Sequence, residues 1–127
     1  MEHVLQLTEV LHIVFKMARP KSKKTEKKEL DEMWSTKVRT RDNFTCQICG
    51  KKLEKRYAQA HHILPRTLPK VRWDVNNGIT LCYNHHKVGS YSAHNNAIWF
   101  TFWLKTNKPK QFKYIINKLT EMGRVIK

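Results

Sequence analysis

Three cysteines and seven histidines occur in this 127-residue chain, and their spacing is the first chemical signal. Cys46-Gln-Ile-Cys49 is a CxxC pair followed by Gly50, whose turn lets two thiolates converge on one ion. Cys82-Tyr-Asn-His85 repeats the spacing with an imidazole at its end. Three sulfurs and one nitrogen complete a tetrahedral donor set, the pattern of structural Zn²⁺. A redox CxxC is the alternative, but no βαβ pattern surrounds it. The fourth ligand stays open between His85 and the adjacent His86. Four further residues, His61, His62, Asn77 and His86, lie between or beside these half-sites. Neighbours on a strand point to opposite faces, so His61 and His62 should take different jobs. One can bind a metal while the other faces water or substrate. Asn77, within Asn76-Asn77-Gly78, reads on its own as a turn residue.

The charge balance suggests what these residues act on. Lys plus Arg number 25 against 10 Asp plus Glu, a formal net charge of +15. Such an imbalance repels itself in the folded state and is usually compensated by a polyanion. Nucleic acid is the first candidate, an anionic membrane surface the second, and charge for solubility alone the third. The longest apolar run near the start, Ile13-Val14-Phe15, is far short of a membrane span. Residues 1–16 hold Glu2, Glu9 and His12 and lack a small-residue cleavage site, so they do not read as a signal peptide. A cytoplasmic location with free thiols is the expectation, because an odd number of cysteines cannot form a closed set of disulfides. Met17-Ala-Arg-Pro looks like a translation start.

Elements must position these groups. Val4, Leu7, Leu11 and Val14 fall at helical spacing, and residues 17–29, rich in lysine, read as a mobile basic arm. Leu30, Met33, Trp34, Val38 and Arg41 predict a helix over 29–42 with one packed face, broken at Asn43-Phe44-Thr45. Residues 46–86 suit short strands and turns, with Ala58–Ala60, Ile63-Leu64 and Ile79–Leu81 as apolar runs. Helices are expected over 95–106 and 110–126. Trp99, Phe100, Phe102, Trp103 and Leu104 should form much of the core, with Phe112, Ile115, Ile116 and Leu119 beside them.

Taken together, Cys46-x2-Cys49, Ala60-His61-His62-Ile63, Asn77-Gly78-Ile79-Thr80-Leu81-Cys82 and His85-His86 resemble an HNH nuclease of the ββα-metal class. The spacing His61-His62-x14-Asn77-x8-His86 is similar to that of the DNase colicin nuclease domains. Leu30 to Cys49 and Tyr91-Ser92-Ala93-His94-Asn95 resemble the small phage and bacterial HNH endonucleases, so the likeness covers roughly residues 30–105. It implies an α+β fold: a small ββα-metal core with a structural zinc knuckle, flanked by helices. The expected organisation is a 1–29 extension with the basic arm, a 30–106 nuclease domain and a 107–127 C-terminal helix packed on it.

The resemblance also implies roles. His62 is the general base, His61 and His86 ligate a catalytic divalent ion (Mg²⁺, Mn²⁺ or Ni²⁺), and Asn77 orients the base imidazole. Cys46, Cys49, Cys82 and His85 match the structural zinc knuckle, although His85 stands where the family more usually has cysteine. The colicin pattern has a further histidine four residues after the last, where this chain has Ser90; His94 is a candidate substitute if a helix continues that far. Arg39, Arg41, Arg66, Arg72 and Lys87 lie near the site in sequence and are candidates to grip phosphates. The implied activity is metal-dependent hydrolysis of DNA phosphodiesters, nicking or cleaving duplex DNA with weak sequence preference. By analogy it belongs to phage genome processing, beside packaging proteins, in the bacterial host cytoplasm, as a monomer or weak dimer. The competing readings are a non-catalytic zinc-knuckle nucleic-acid-binding module and a packaging protein built around the basic arm.

Overall fold

The computed structural model describes residues 6–18 and 22–123, with side chains over 6–12 and 22–123. Helix α1 spans Leu7–Ala18, at the helical spacing expected, and exposes Leu7, Val10 and Leu11. Helix α2 spans Lys23–Arg41, so the segment read as a mobile arm is helical from Lys23 onward. The Ser22 hydroxyl accepts from the Thr25 amide at 3.2 Å and caps the first turn. Lys and Glu, which fill that turn, are good helix formers. A boundary between 29 and 30 therefore falls inside α2.

Two consecutive left-handed residues, Asn43 and Phe44, both with φ of 52°, end the helix as anticipated. The packed face is narrower than the periodicity suggests. Trp34 and Val38 are buried, whereas Leu30 and Met33 are exposed, because the N-terminal half of α2 runs past the hairpin its C-terminal half packs on.

That hairpin pairs β1 (Gln59–His62) with β2 (Gly78–Leu81), antiparallel, with His61 opposite Ile79 and His62 opposite Gly78. All four residues of β2 are buried. Gly78 is required by packing, since a methyl group there would collide with Val38 and Trp34 of α2. Ile63-Leu64 is not strand; it leaves β1 and is held by Asn77. Helices α3 (Ala97–Asn107) and α4 (Pro109–Glu121) pack on each other, with Pro109 opening α4 where its missing N–H costs nothing. Phe100, Leu104 and Ile115 enter the core with Leu64, Val71, Ile79, Leu81 and Ala93. Trp99, Trp103, Phe112 and Leu119 pack at its edge. Phe102, expected inside, is exposed, because α3 buries only the face carrying Phe100 and Leu104. The fold is thus a small α+β unit, a two-stranded hairpin flanked by helices.

Candidate functional site

The donor atoms of Cys46, Cys49, Cys82 and His85 lie within 4.8 Å of one another. Gly50, with φ of 74°, closes the turn after the first pair, and its amide donates to the Cys46 carbonyl at 2.8 Å. The Gln47 amide donates to the Thr80 carbonyl at 3.0 Å, which ties this turn to β2 just ahead of Cys82. His85 Nδ1 sits 3.2 Å from Cys82 Sγ and 3.8 Å from Cys46 Sγ. This cluster could hold zinc, and it answers the question of the fourth ligand: His85 faces the sulfurs.

His86 faces another way. A short π-helical turn at Asn84–Val88 separates the two imidazoles, and His86 joins His61 and His94 in a second cluster whose ligand atoms also lie within 4.8 Å. The ring centroids are 4.7–5.0 Å apart, and His86 Nε2 is 3.1 Å from His94 Nε2. No helix carries His94 there. The chain turns back after Gly89, the His94 amide donates to the His86 carbonyl at 3.1 Å, and Asn95 Nδ2 donates to the carbonyls of Lys87, Val88 and Gly89. His94 thus reaches the cluster through a turn, not through the continued helix that its spacing from His86 suggests.

Gln59 was missed altogether. Its Oε1 accepts from His86 Nδ1 at 2.6 Å, which leaves the Nε2 lone pair free for a metal. Its position two residues before His61 on β1, hence on the same face, was the available signal. Burial pushes the His61 imidazole down to about 3, aided by His86 and His94. Burial, then His94 and Lys87, push His86 down to about 4. Both are neutral near pH 7, the state a metal ligand needs.

His62 occupies the opposite face of β1, as strand alternation requires. Its ring stacks on the Trp34 indole, with centroids 3.6 Å apart and planes 7° from parallel. Its Nε2 lies 2.9 Å from the Arg72 carbonyl oxygen. A carbonyl only accepts, so Nε2 carries the proton and Nδ1 keeps its lone pair. Burial lowers the pKa of His62, opposed by that hydrogen bond and by Asp31. Asp31 in turn grips Arg72 at 2.9 and 2.7 Å and accepts from Trp73 Nε1 at 2.9 Å. The Arg72 guanidinium holds the Asp31 carboxyl below its usual range.

Asn77 is fully buried and acts at one remove. Its Oδ1 accepts from the Leu64 amide at 2.6 Å, and its Nδ2 donates to the carbonyls of Leu64 and Val71 at 3.0 and 3.2 Å. It thereby closes the loop between β1 and β2 one residue before Arg72, whose carbonyl orients His62. These bonds link Asn77 to the loop backbone, where the resemblance had implied a link to the imidazole.

The five basic candidates divide. Arg66 and Lys87 line a cavity of about 770 Å³ together with His61, His62, His86 and His94. Arg41 instead bonds Asp42 and the carbonyls of Val75 and Gly78, and Arg72 bonds Asp31, so both guanidinium groups brace the fold. Arg39 donates to the carbonyls of Ser35 and Lys55 and lies outside the cavity.

Comparison with known families places residues 46–88 in a match to the HNH endonuclease family model. That segment runs from the first zinc-type cysteine through His61, His62, Asn77 and His86 to the end of the π-helical turn. No curated protein and no solved structure matches the chain. The HNH resemblance holds over that segment. Among the described residues, no helix is long and apolar enough to cross a membrane.

Proposed function

We propose, from this HNH segment as premise, that the protein is a metal-dependent endonuclease that hydrolyses phosphodiester bonds in duplex DNA, one strand per encounter. The observation that supports this best is the division of labour across β1. His61, His86 and His94 form a three-imidazole cluster, and His62, with Nδ1 unprotonated, lines the same cavity.

Hydrolysis needs a water deprotonated in line with the leaving oxygen. His62 takes that proton on Nδ1, while its Nε2–H remains on the Arg72 carbonyl and the Trp34 face stops the ring from tilting. Such a base is typically worth about 10²–10⁴-fold in rate. His61, His86 and His94 would hold a divalent ion, which would supply positive charge to the phosphoryl and departing oxygens. Three imidazoles with no carboxylate among them favour a transition-metal ion over Mg²⁺. Arg66 and Lys87 bind phosphate oxygens at the cavity rim, contacts that position the duplex without reading bases. Cys46, Cys49, Cys82 and His85 would hold zinc, which would tie the turn after α2 to the end of β2.

The experiment is a plasmid assay. Supercoiled DNA is incubated with protein stripped of loosely held metal, with and without Mn²⁺, Ni²⁺ or Mg²⁺. Relaxed or linear product that depends on added metal supports the nuclease. DNA retarded on the gel yet supercoiled under every ion would replace it with the binding-module reading.

A further inference from the structure

The first two turns of α2 carry four exposed lysines, Lys23, Lys24, Lys27 and Lys28. Local helix energetics do not account for them. The N-terminal end of a helix favours acidic groups, and each cation there costs up to about 1 kcal/mol at low salt. Among the described residues none of the four enters an ion pair. Their direction is also specific. At 3.6 residues per turn, Lys23, Lys24 and Lys27 project within ~60° of the side that buries Trp34 and Val38. Glu29 and Glu32 project ~140–160° away and share a depression with Met33, Thr36 and Lys37, while Glu32 also borders Lys28. One face of α2 is thus apolar where it meets the hairpin and basic where it overhangs it. The overhang reaches the site directly: the four lysines, Asp31 and Arg72 line one surface depression, and the Arg72 carbonyl holds His62.

We infer that this lysine strip is a phosphate track for the DNA duplex flanking the point of cleavage. The inference takes from the proposed function only the position of His62 as the point of cleavage. Lys28 and Lys23 precede Trp34 by six and eleven residues, or ~9–16 Å along the axis. At 3.4 Å per base pair, the strip meets phosphates ~3–5 base pairs from the bond cut at His62. The track therefore lies to one side of the cleaved bond, supplies affinity without base reading, and leaves the chemistry alone.

The test measures binding of a fluorescent 30-base-pair duplex by anisotropy across a salt series. The full chain is compared with a variant carrying Lys23→Gln, Lys24→Gln, Lys27→Gln and Lys28→Gln. A charge-matched control carries Lys51→Gln, Lys105→Gln, Lys110→Gln and Lys113→Gln. Glutamine matches lysine in helix propensity, and losing cations near the helix start does not weaken α2. Four lost phosphate contacts lower the slope of log affinity against log salt by ~3.6, roughly three-hundredfold at 0.2 M salt relative to 1 M. The expected result is that drop in the strip variant and a clearly smaller one in the control. Equal losses in the two variants, or no change in slope in the strip variant, would overturn the inference. Binding is read without cleavage, so a chain that proves inactive but shows the strip-specific slope would refute the nuclease reading and leave the track standing.

Discussion

Replacing Asn77 by alanine probes how a buried side chain bonded to the β1–β2 loop backbone supports His62. The side chain is fully buried and makes three hydrogen bonds, to the Leu64 amide and to the Leu64 and Val71 carbonyls. Alanine would strand all three backbone groups in the interior, at about 1–3 kcal/mol each when no new partner is found. Relaxation and entry of water recover part of this, which leaves a net loss of about 3–5 kcal/mol. Against a typical total of 5–15 kcal/mol that is a large fraction. At about 3–4 °C per kcal/mol for a domain of this size, the zinc-loaded protein should melt ~10–20 °C lower by circular dichroism. Cleavage should fall as well, because the loop carrying the Arg72 carbonyl is no longer held against His62. A variant that melts within ~3 °C of the parent while losing cleavage would refute this reasoning and make Asn77 a direct participant in the reaction.

Other perturbations separate the two metal clusters and the buried histidines. Gln59→Ala frees the His86 ring from its orienting acceptor, and Ni²⁺ or Mn²⁺ affinity, read by calorimetry, should weaken about 10–100-fold with the fold intact. Cys82→Ser should lose bound zinc and cooperative unfolding together, seen by metal analysis and near-UV dichroism, because structural zinc is folding free energy in a module this small. His61 and His86 have folded pKa values of about 3 and about 4, below the unfolded 6.5. The unfolded chain therefore binds more protons between those limits. Without the catalytic metal, stability should fall as pH drops from about 6.5 toward about 4, by up to about 1.4 kcal/mol per pH unit for each histidine. His61→Gln should flatten that dependence in urea titrations at successive pH values.

The chemistry was more legible in this sequence than the architecture. Ligand spacing survives folding as spacing, so Cys46, Cys49, Cys82 and His85 gather in one place, and the His61-His62 pair divides across β1 as strand geometry demands. The partners that tune these groups were hidden because they come from distant segments. Asp31 and Trp34 reach His62 and Arg72 from α2, and Asn77 works through backbone groups that carry no sequence signature. Arg41 and Arg72 counted as phosphate grips because charge is visible in a sequence, whereas the carboxylates and carbonyls that occupy them are not. The mobile-arm reading of 17–29 failed from Lys23 onward because a basic composition does not disfavour helix once Ser22 caps it. Phe102 was assigned to the core from residue type alone, although the face of α3 decides burial.

If His62 is the base and a separate histidine cluster holds the metal, one variant should pull the two functions apart. The direct test is His62→Ala, assayed for plasmid nicking and for Ni²⁺ or Mn²⁺ affinity on the same preparation. The rate should fall about 10²–10⁴-fold, with metal affinity and melting temperature close to those of the parent. Nicking at the parental rate, or a loss of metal binding that accounts for the loss of activity, would contradict that assignment.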